Sequence, residues 1–141
     1  NGPTFSADHA KVYHTDTGRN EVYVFDVIDG ELANKTLWLT FPEDWGGPDG
    51  MTTDAQGGIW IAHWGPGRIT RFNPDATVDF FIDMPAKQIT SLCFAGDNLD
   101  RVFVTSAAEN LPEDREGGTL IEIPVPLLRG HTGLEPQKFG R

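Results

Sequence analysis

The chain has 141 residues, the size of one ordinary domain. Asp and Glu (21) outnumber Lys and Arg (11), so the formal charge of −10 argues against nucleic-acid and anionic-membrane partners. No apolar run reaches the roughly 18–20 residues of a membrane-spanning helix, no signal peptide is recognised, and the lone Cys93 excludes an intramolecular disulfide. We therefore expect a cytoplasmic protein with no nucleic-acid or membrane partner.

Short runs rich in β-branched and aromatic residues, separated by glycine and proline, predict an all-β chain. Apolar and polar residues alternate in several of these runs, as half-buried antiparallel strands require. Cys93 falls in one apolar run and is predicted to be a small core residue. In chain order the predicted strands are Val12–Thr15, Glu21–Val27, Leu37–Phe41, Gly50–Thr53, Ile59–His63, Ile69–Asn73, Val78–Ile82, Thr90–Phe94, Val102–Ser106 and Thr119–Pro124.

Similar units recur along the chain, beginning near residues 5, 53 and 94. A repeat of about 40–50 residues with about four strands per unit predicts the blades of a β-propeller, with a plain β-sandwich as the alternative. About three blades fit in this length, whereas closed propellers have about 4–8. We therefore expect that N-terminal blades are missing, or that a second copy closes the ring, and we favour the missing half because the chain starts at Asn1.

Asn1 and Asp49 each lie at the start of an inner strand, and in a propeller these starts surround the central channel. An amide carbonyl and a carboxylate suit Ca²⁺, Mg²⁺ or Mn²⁺ and tolerate Zn²⁺. The alternative for Asp49 is a turn residue, because Pro-Asp-Gly is a strong turn signal. Thr90 and Ser91 hold the matching position in the third unit, where their hydroxyls could bond to a ligand or to the neighbouring strand.

Four further residues have two interpretations each. Asp16 follows a strand and is either a turn carboxylate or a pocket residue. Trp64 could stack on a sugar ring or pack at the sheet edge. His63 is expected to pack or cap rather than to bind metal. Arg71 is expected to form a surface ion pair or to extend over the sheet with its charged end in solvent.

Several stretches along the chain match the pattern of one known protein family, and the strongest match is the continuous stretch from Pro48 to Ala62. The other matching stretches are Asn1-Gly2-Pro3, Ser6-Ala7-Asp8, Val12-Tyr13-His14-Thr15-Asp16-Thr17, Val24-Phe25-Asp26, Gly67-Arg68-Ile69, Arg71-Phe72, Pro74-Asp75, Thr90-Ser91-Leu92-Cys93-Phe94-Ala95-Gly96 and Leu99–Ala107. Because these stretches follow one another in order, the whole chain resembles the C-terminal half of the SMP-30/gluconolactonase/luciferin-regenerating-enzyme-like family.

This resemblance implies that residues 1–141 are the C-terminal part of a single six-bladed β-propeller domain with one divalent metal ion in its channel. By the family's pattern Asn1 and Asp49 are metal ligands, and Asp49 is also the general base. The implied activity is that of a sugar lactonase, in which the metal ion (Ca²⁺ or Zn²⁺, with Mg²⁺ and Mn²⁺ as alternatives) activates water and polarises the lactone carbonyl. Thr90, Ser91, Trp64 and Asp16 are the candidate substrate-binding residues.

The chain contains only some of the site residues that the family's pattern includes. The family's glutamate ligand and a further asparagine lie in earlier blades, upstream of this chain, and Pro3 stands where the family commonly has leucine. Half of the expected site is therefore present. The alternatives are a propeller that binds calcium or another ligand without turnover, and an esterase or phosphotriesterase of the same family. A serine hydrolase is not supported, because the chain has no Gly-x-Ser-x-Gly motif.

Overall fold

A computed structural model describes residues 1–136 and confirms that the chain is an all-β protein. Three short 3-10 helices, Thr17–Arg19, Glu43–Trp45 and Val125–Leu128, accompany the strands in this part of the chain. The strands are β1 (Thr4–Phe5), β2 (Lys11–Asp16), β3 (Glu21–Ile28), β4 (Glu31–Thr40), β5 (Gly47–Thr53), β6 (Ile59–Trp64), β7 (Arg68–Phe72), β8 (Val78–Asp83), β9 (Gln88–Ala95), β10 (Arg101–Ala107) and β11 (Leu120–Glu122).

The strands form three consecutive antiparallel units, as the repeat predicts. Strands β1 to β4 form the first blade, β5 to β8 the second, and β9 to β11 the third, which has three strands within the described residues. One further pairing, between Trp64 on β6 and Gln88 on β9, joins the second blade to the third. Because each strand neighbours the next one in sequence, the order is that of propeller blades.

Strand β4 is longer than the sequence predicts, since it begins at Glu31 rather than at Leu37. Asp29 and Gly30 both have positive φ (51° and 84°), which makes a tight two-residue hairpin turn from which the strand restarts at once. Most residues in the first half of β4 are exposed, so they lack the apolar alternation that marks a half-buried strand.

Two hydrophobic clusters hold the three blades together. Tyr13, Val22 and Phe41 of the first blade pack with Ile59 and Ile61 of β6. The opposite face of β6 packs on the third blade through a second cluster, whose members include Trp60, Ala62, Ile69, Val102, Val104 and Ile123. Strand β6 is therefore buried on both faces, which explains why its sequence is a continuous apolar run.

The structure corrects two predictions about side-chain placement. Arg71 does not form a surface pair: its side chain is 5% exposed and its Nε lies 2.7 Å from the fully buried Asp54 carboxylate. It pairs with Trp60 across the sheet, on the face that the third blade covers. Cys93 is exposed rather than part of the core, because the alternation of β9 gives the buried position to Leu92 instead.

Of the helices in the described residues, none has the length and apolar character that crossing a membrane requires.

Candidate functional site

The starts of the three inner strands lie at one face of the molecule and carry the predicted site residues. Asn1 precedes β1, Asp49 lies near the start of β5, and Ser91 lies in the first half of β9. Strand β5 contacts both β1 and β9. A Cβ atom added at Gly50 would lie 2.4 Å from the Ser91 Oγ, so the backbone beside Asp49 packs directly against Ser91.

A β-bulge sets the position of Asp49. On β5, Pro48 pairs with His63 and Met51 pairs with Ile61, so Asp49 and Gly50 together face a single residue of β6. A bulge bends the strand and re-aims the side chain of the extra residue, and bulges often lie next to active sites. The bulge therefore lifts Asp49 out of the regular alternation of β5 and leaves it half-buried at the channel end of the strand.

The end of β2 holds Asn1 and Asp49 in place from the first blade. The Thr15 Oγ donates a hydrogen bond to the Asp49 carbonyl at 3.0 Å, and the Thr17 Oγ donates one to the Pro48 carbonyl at 2.7 Å. The Asn1 Nδ2 donates to the Thr17 Oγ at 2.9 Å, and the Thr15 backbone N–H donates to the Asn1 carbonyl at 3.0 Å. The two predicted metal ligands are thus tied to the same short segment.

Burial raises the pKa of the Asp49 carboxyl above its usual value. The hydrogen bond from the Gly50 N–H opposes this rise in the pKa. A carboxylate whose main perturbation is lost solvation is stabilised by any cation that reaches it. Asp49 therefore has the electrostatic setting of a cation ligand or a proton acceptor.

His63 supports the segment that leads to Asp49. Its ring is fully buried, and Nδ1 lies 2.9 Å from the Trp45 carbonyl, which accepts the proton of that nitrogen. Burial lowers the pKa of His63 to about 4, so the ring is neutral at pH 7. The ring also packs against Phe41. These contacts agree with the prediction that His63 packs or caps.

The four candidate substrate-binding residues differ in their contacts. The Thr90 Oγ is 2.7 Å from the Thr105 Oγ, so this hydroxyl bonds to the neighbouring strand. Ser91 is exposed beside Gly50. Asp16 and Trp64 are half-buried at the ends of β2 and β6, beside the starts of β1 and β5, because the paired strands are antiparallel.

Thr15 and Thr17 are the site residues that the sequence interpretation missed. Thr15 ends the predicted strand Val12–Thr15 and Thr17 lies two residues beyond it, both within the stretch that carries the family resemblance. Their hydroxyls contact the chain more than 30 residues further on, as sequence separations of 34 and 31 show. The one sequence signal for these two threonines is their position beside the short turn after β2, because hydroxyl side chains at turns commonly form hydrogen bonds with backbone groups.

The side chains at this face fit part of a divalent-cation site. Among residues 1–136 no group of three or more His, Cys, Asp or Glu side chains comes together in a metal-binding arrangement. The donors at the channel face are the Asp49 carboxylate and the side-chain carbonyl of Asn1, and both are oxygen ligands of the kind that Ca²⁺ and Mg²⁺ prefer. This donor set is compatible with a hard divalent ion and is smaller than such an ion needs.

Consecutive antiparallel units of three or four strands define β-propeller blades, and the candidate site lies beside their inner strands. Residues 1–108 match the family model of the SMP-30/Gluconolactonase/LRE-like region. The chain belongs to this family.

Individual relatives agree with the family match. Pentonolactonase XacC of Haloferax volcanii is 36% identical over 109 residues, which cover 76% of this chain and 38% of that protein. Regucalcin of Danio rerio is 32% identical over 147 residues, covering 99% of this chain and 49% of that protein. The crystal structure of a calcium-binding protein, regucalcin, from Agrobacterium tumefaciens has a TM-score of 0.83 at 28% identity and covers 96% of this chain and 48% of that one. The chain spans at most about half the length of these relatives.

Proposed function

We propose that this chain carries part of the active site of a sugar lactonase that depends on a divalent metal ion. The observation that carries the proposal is the half-buried Asp49, which a β-bulge presents beside Asn1 at the channel face. The family match and the similarity to a named pentonolactonase support a lactone as the substrate class.

In this proposal Asn1 and Asp49 hold the ion through their side-chain oxygens. When bound, the ion supplies Lewis-acid polarisation of the lactone carbonyl and lowers the pKa of water. Asp49 would accept the proton of the water that attacks the carbonyl carbon, and would return it to the ring oxygen as the carbon–oxygen bond of the lactone breaks. The exposed Ser91 and the half-buried Trp64 contact the sugar hydroxyls and ring face at the channel mouth.

We further propose that residues 1–141 are the C-terminal part of one six-bladed propeller, whose other blades supply the remaining ligands. The partial coverage of the relatives and the small donor set of this half support that arrangement. Ca²⁺ is the first ion to test because one similar structure is described as calcium-binding, and Zn²⁺, Mg²⁺ and Mn²⁺ are the comparisons.

The test is Asp49→Asn in the full-length natural protein, assayed for hydrolysis of pentono- and hexonolactones with each ion. We expect a loss of at least about 100-fold in kcat/KM, because the amide neither accepts a proton nor carries charge. The control is Asp44→Asn, which changes an exposed carboxylate in the short 3-10 helix just before β5 and should leave kcat/KM unchanged. Equal rates for Asp49→Asn and the natural protein would remove Asp49 from this role.

The second candidate is a propeller that binds calcium without turnover, and the regucalcin-type relatives favour it. It predicts that the natural protein binds Ca²⁺, that Asp49→Asn weakens this binding, and that no lactone is hydrolysed with any of the four ions. Lactone hydrolysis by the natural protein rules out this candidate.

A further inference from the structure

We propose that Thr17 is a positioning residue that sets which way the Asn1 side-chain amide faces. This inference rests on the proposed function, because it concerns how one of its two ligands in this chain is oriented. Thr17 opens the short 3-10 helix Thr17–Arg19 that follows β2, and its Oγ lies between the Asn1 amide and the Pro48 carbonyl.

The orientation follows from counting protons. A threonine hydroxyl has one proton to donate, and a backbone carbonyl can only accept. The 2.7 Å contact with the Pro48 carbonyl therefore uses the Thr17 proton. Toward Asn1 the same oxygen can then only accept, so the group at 2.9 Å must be the Asn1 NH₂ and not its carbonyl oxygen. The Asn1 Oδ1 consequently faces away from Thr17 and keeps both lone pairs for a cation.

The same hydroxyl also couples the two ligands. Its bond to the Pro48 carbonyl fixes the backbone immediately before Asp49, while Thr15 fixes the carbonyl of Asp49 itself. The Thr17 methyl packs against Gly47, where an added Cβ would come within 2.8 Å of the Thr17 Cγ2. Thr17 is thus held by packing on one side and uses its hydroxyl on the other, and substitution can separate these two contributions.

The first experiment measures Ca²⁺ affinity by calorimetry in the full-length natural protein without substrate. Thr17→Val keeps the packing and loses the hydroxyl, and we expect about 10-fold weaker binding or more, the usual effect of removing a group that orients a metal ligand. Thr17→Ser keeps the hydroxyl, and its Ca²⁺ affinity should lie within about 3-fold of that of the natural protein. If Thr17 acted only through packing, Thr17→Ser would bind Ca²⁺ more weakly than Thr17→Val.

The matched control is Thr53→Val. Thr53 is a buried threonine on β5 whose hydroxyl donates to the Phe5 carbonyl at 2.6 Å, far along the strand from Asp49. Its loss should lower the free energy of unfolding and leave Ca²⁺ affinity unchanged. Equal weakening of Ca²⁺ binding by Thr53→Val and Thr17→Val would mean that general destabilisation is the cause, and would overturn the inference.

A second measurement needs no metal ion. In ¹H–¹⁵N spectra of the ion-free protein, the Asn1 side-chain NH₂ resonances should move toward those of a free asparagine in Thr17→Val and stay in place in Thr17→Ser. Unchanged resonances in Thr17→Val would overturn the inference. If the natural protein binds none of the four ions, the proposed function fails, and these spectra still decide whether Thr17 orients the amide.

Discussion

Asp54 shows how much one side chain can organise in this fold. Its fully buried carboxylate accepts hydrogen bonds from the Gly58 N–H at 2.8 Å, the Trp60 Nε1 at 2.7 Å and the Arg71 Nε at 2.7 Å. One carboxylate therefore closes the turn between β5 and β6, anchors the core tryptophan and neutralises a buried guanidinium. A buried charge is tolerated only with this degree of pairing and hydrogen bonding.

We predict that Arg71→Met lowers the free energy of unfolding by about 3–5 kcal/mol, because it leaves the buried Asp54 charge without its cation. The matched control is Arg101→Met, which removes an equally short ion pair with Glu122 whose side chains are 49% and 42% exposed. That change should cost under about 1 kcal/mol, since solvent screens the pair. Urea unfolding of the natural protein and both variants measures the difference, and similar losses would contradict the prediction.

At the scale of the strand, the bulge in β5 works because glycine follows Asp49. The backbone of β5 at Gly50 runs so close to β9 that an added Cβ would lie 2.4 Å from the Ser91 Oγ and 2.7 Å from the Thr90 carbonyl. No second side chain fits beside that of Ser91 between these two inner strands. Glycine is thus required by the close approach of two blades, and not only by the turn tendency of Pro-Asp-Gly.

We predict that Gly50→Ala destabilises the protein by about 1–3 kcal/mol, because the added methyl must displace a backbone carbonyl as well as a side chain. Gly18→Ala is the control at the same face, since the nearest atom to its Cβ is the Asp16 Oδ1 at 3.8 Å. Thermal unfolding should show a lower midpoint for Gly50→Ala and little change for Gly18→Ala. A Gly50→Ala protein as stable as the natural one would refute the close approach of β5 and β9.

At the scale of the molecule, the two outer blades present apolar side chains away from the second blade. Leu37 of the first blade is 54% exposed, and Leu120 of the third blade is 66% exposed. By strand register, Leu37 lies on one face of the first blade, and Tyr13 and Val22 lie on the other face, which packs on the second blade. Exposed apolar groups on both outer faces fit the proposal that further blades pack there.

We predict that the natural protein has a denatured mass well above 15.5 kDa, because further blades of the same chain complete the ring. Denaturing and native mass spectrometry of one sample measures this. A denatured mass of 15.5 kDa with a native dimer would instead mean that a second copy closes the ring. A 15.5 kDa monomer that binds no divalent ion would contradict both the ring and the metal site.

The blade repeat and the positions of Asn1 and Asp49 were predictable because they depend on order along the chain. Turn residues and alternating strands recur at a fixed spacing, and the start of each inner strand follows from that spacing. The placement of Arg71 and Cys93 was not predictable in this way. An arginine in an amphipathic strand is predicted to be exposed unless a buried acidic partner is known. The partner of Arg71 is Asp54, which is 17 residues away in sequence.

The sequence by itself determined the all-β class, the blade units and the family, since strand period and turn chemistry are local properties. Only the tertiary structure decided which faces are buried, that a bulge presents Asp49, and that Thr15 and Thr17 bind the backbone beside it. These features depend on contacts between blades, where residues more than 30 positions apart meet. Sequence patterns within one strand or turn do not predict such contacts, because a hydroxyl or a carboxylate can form hydrogen bonds with solvent or with a buried partner.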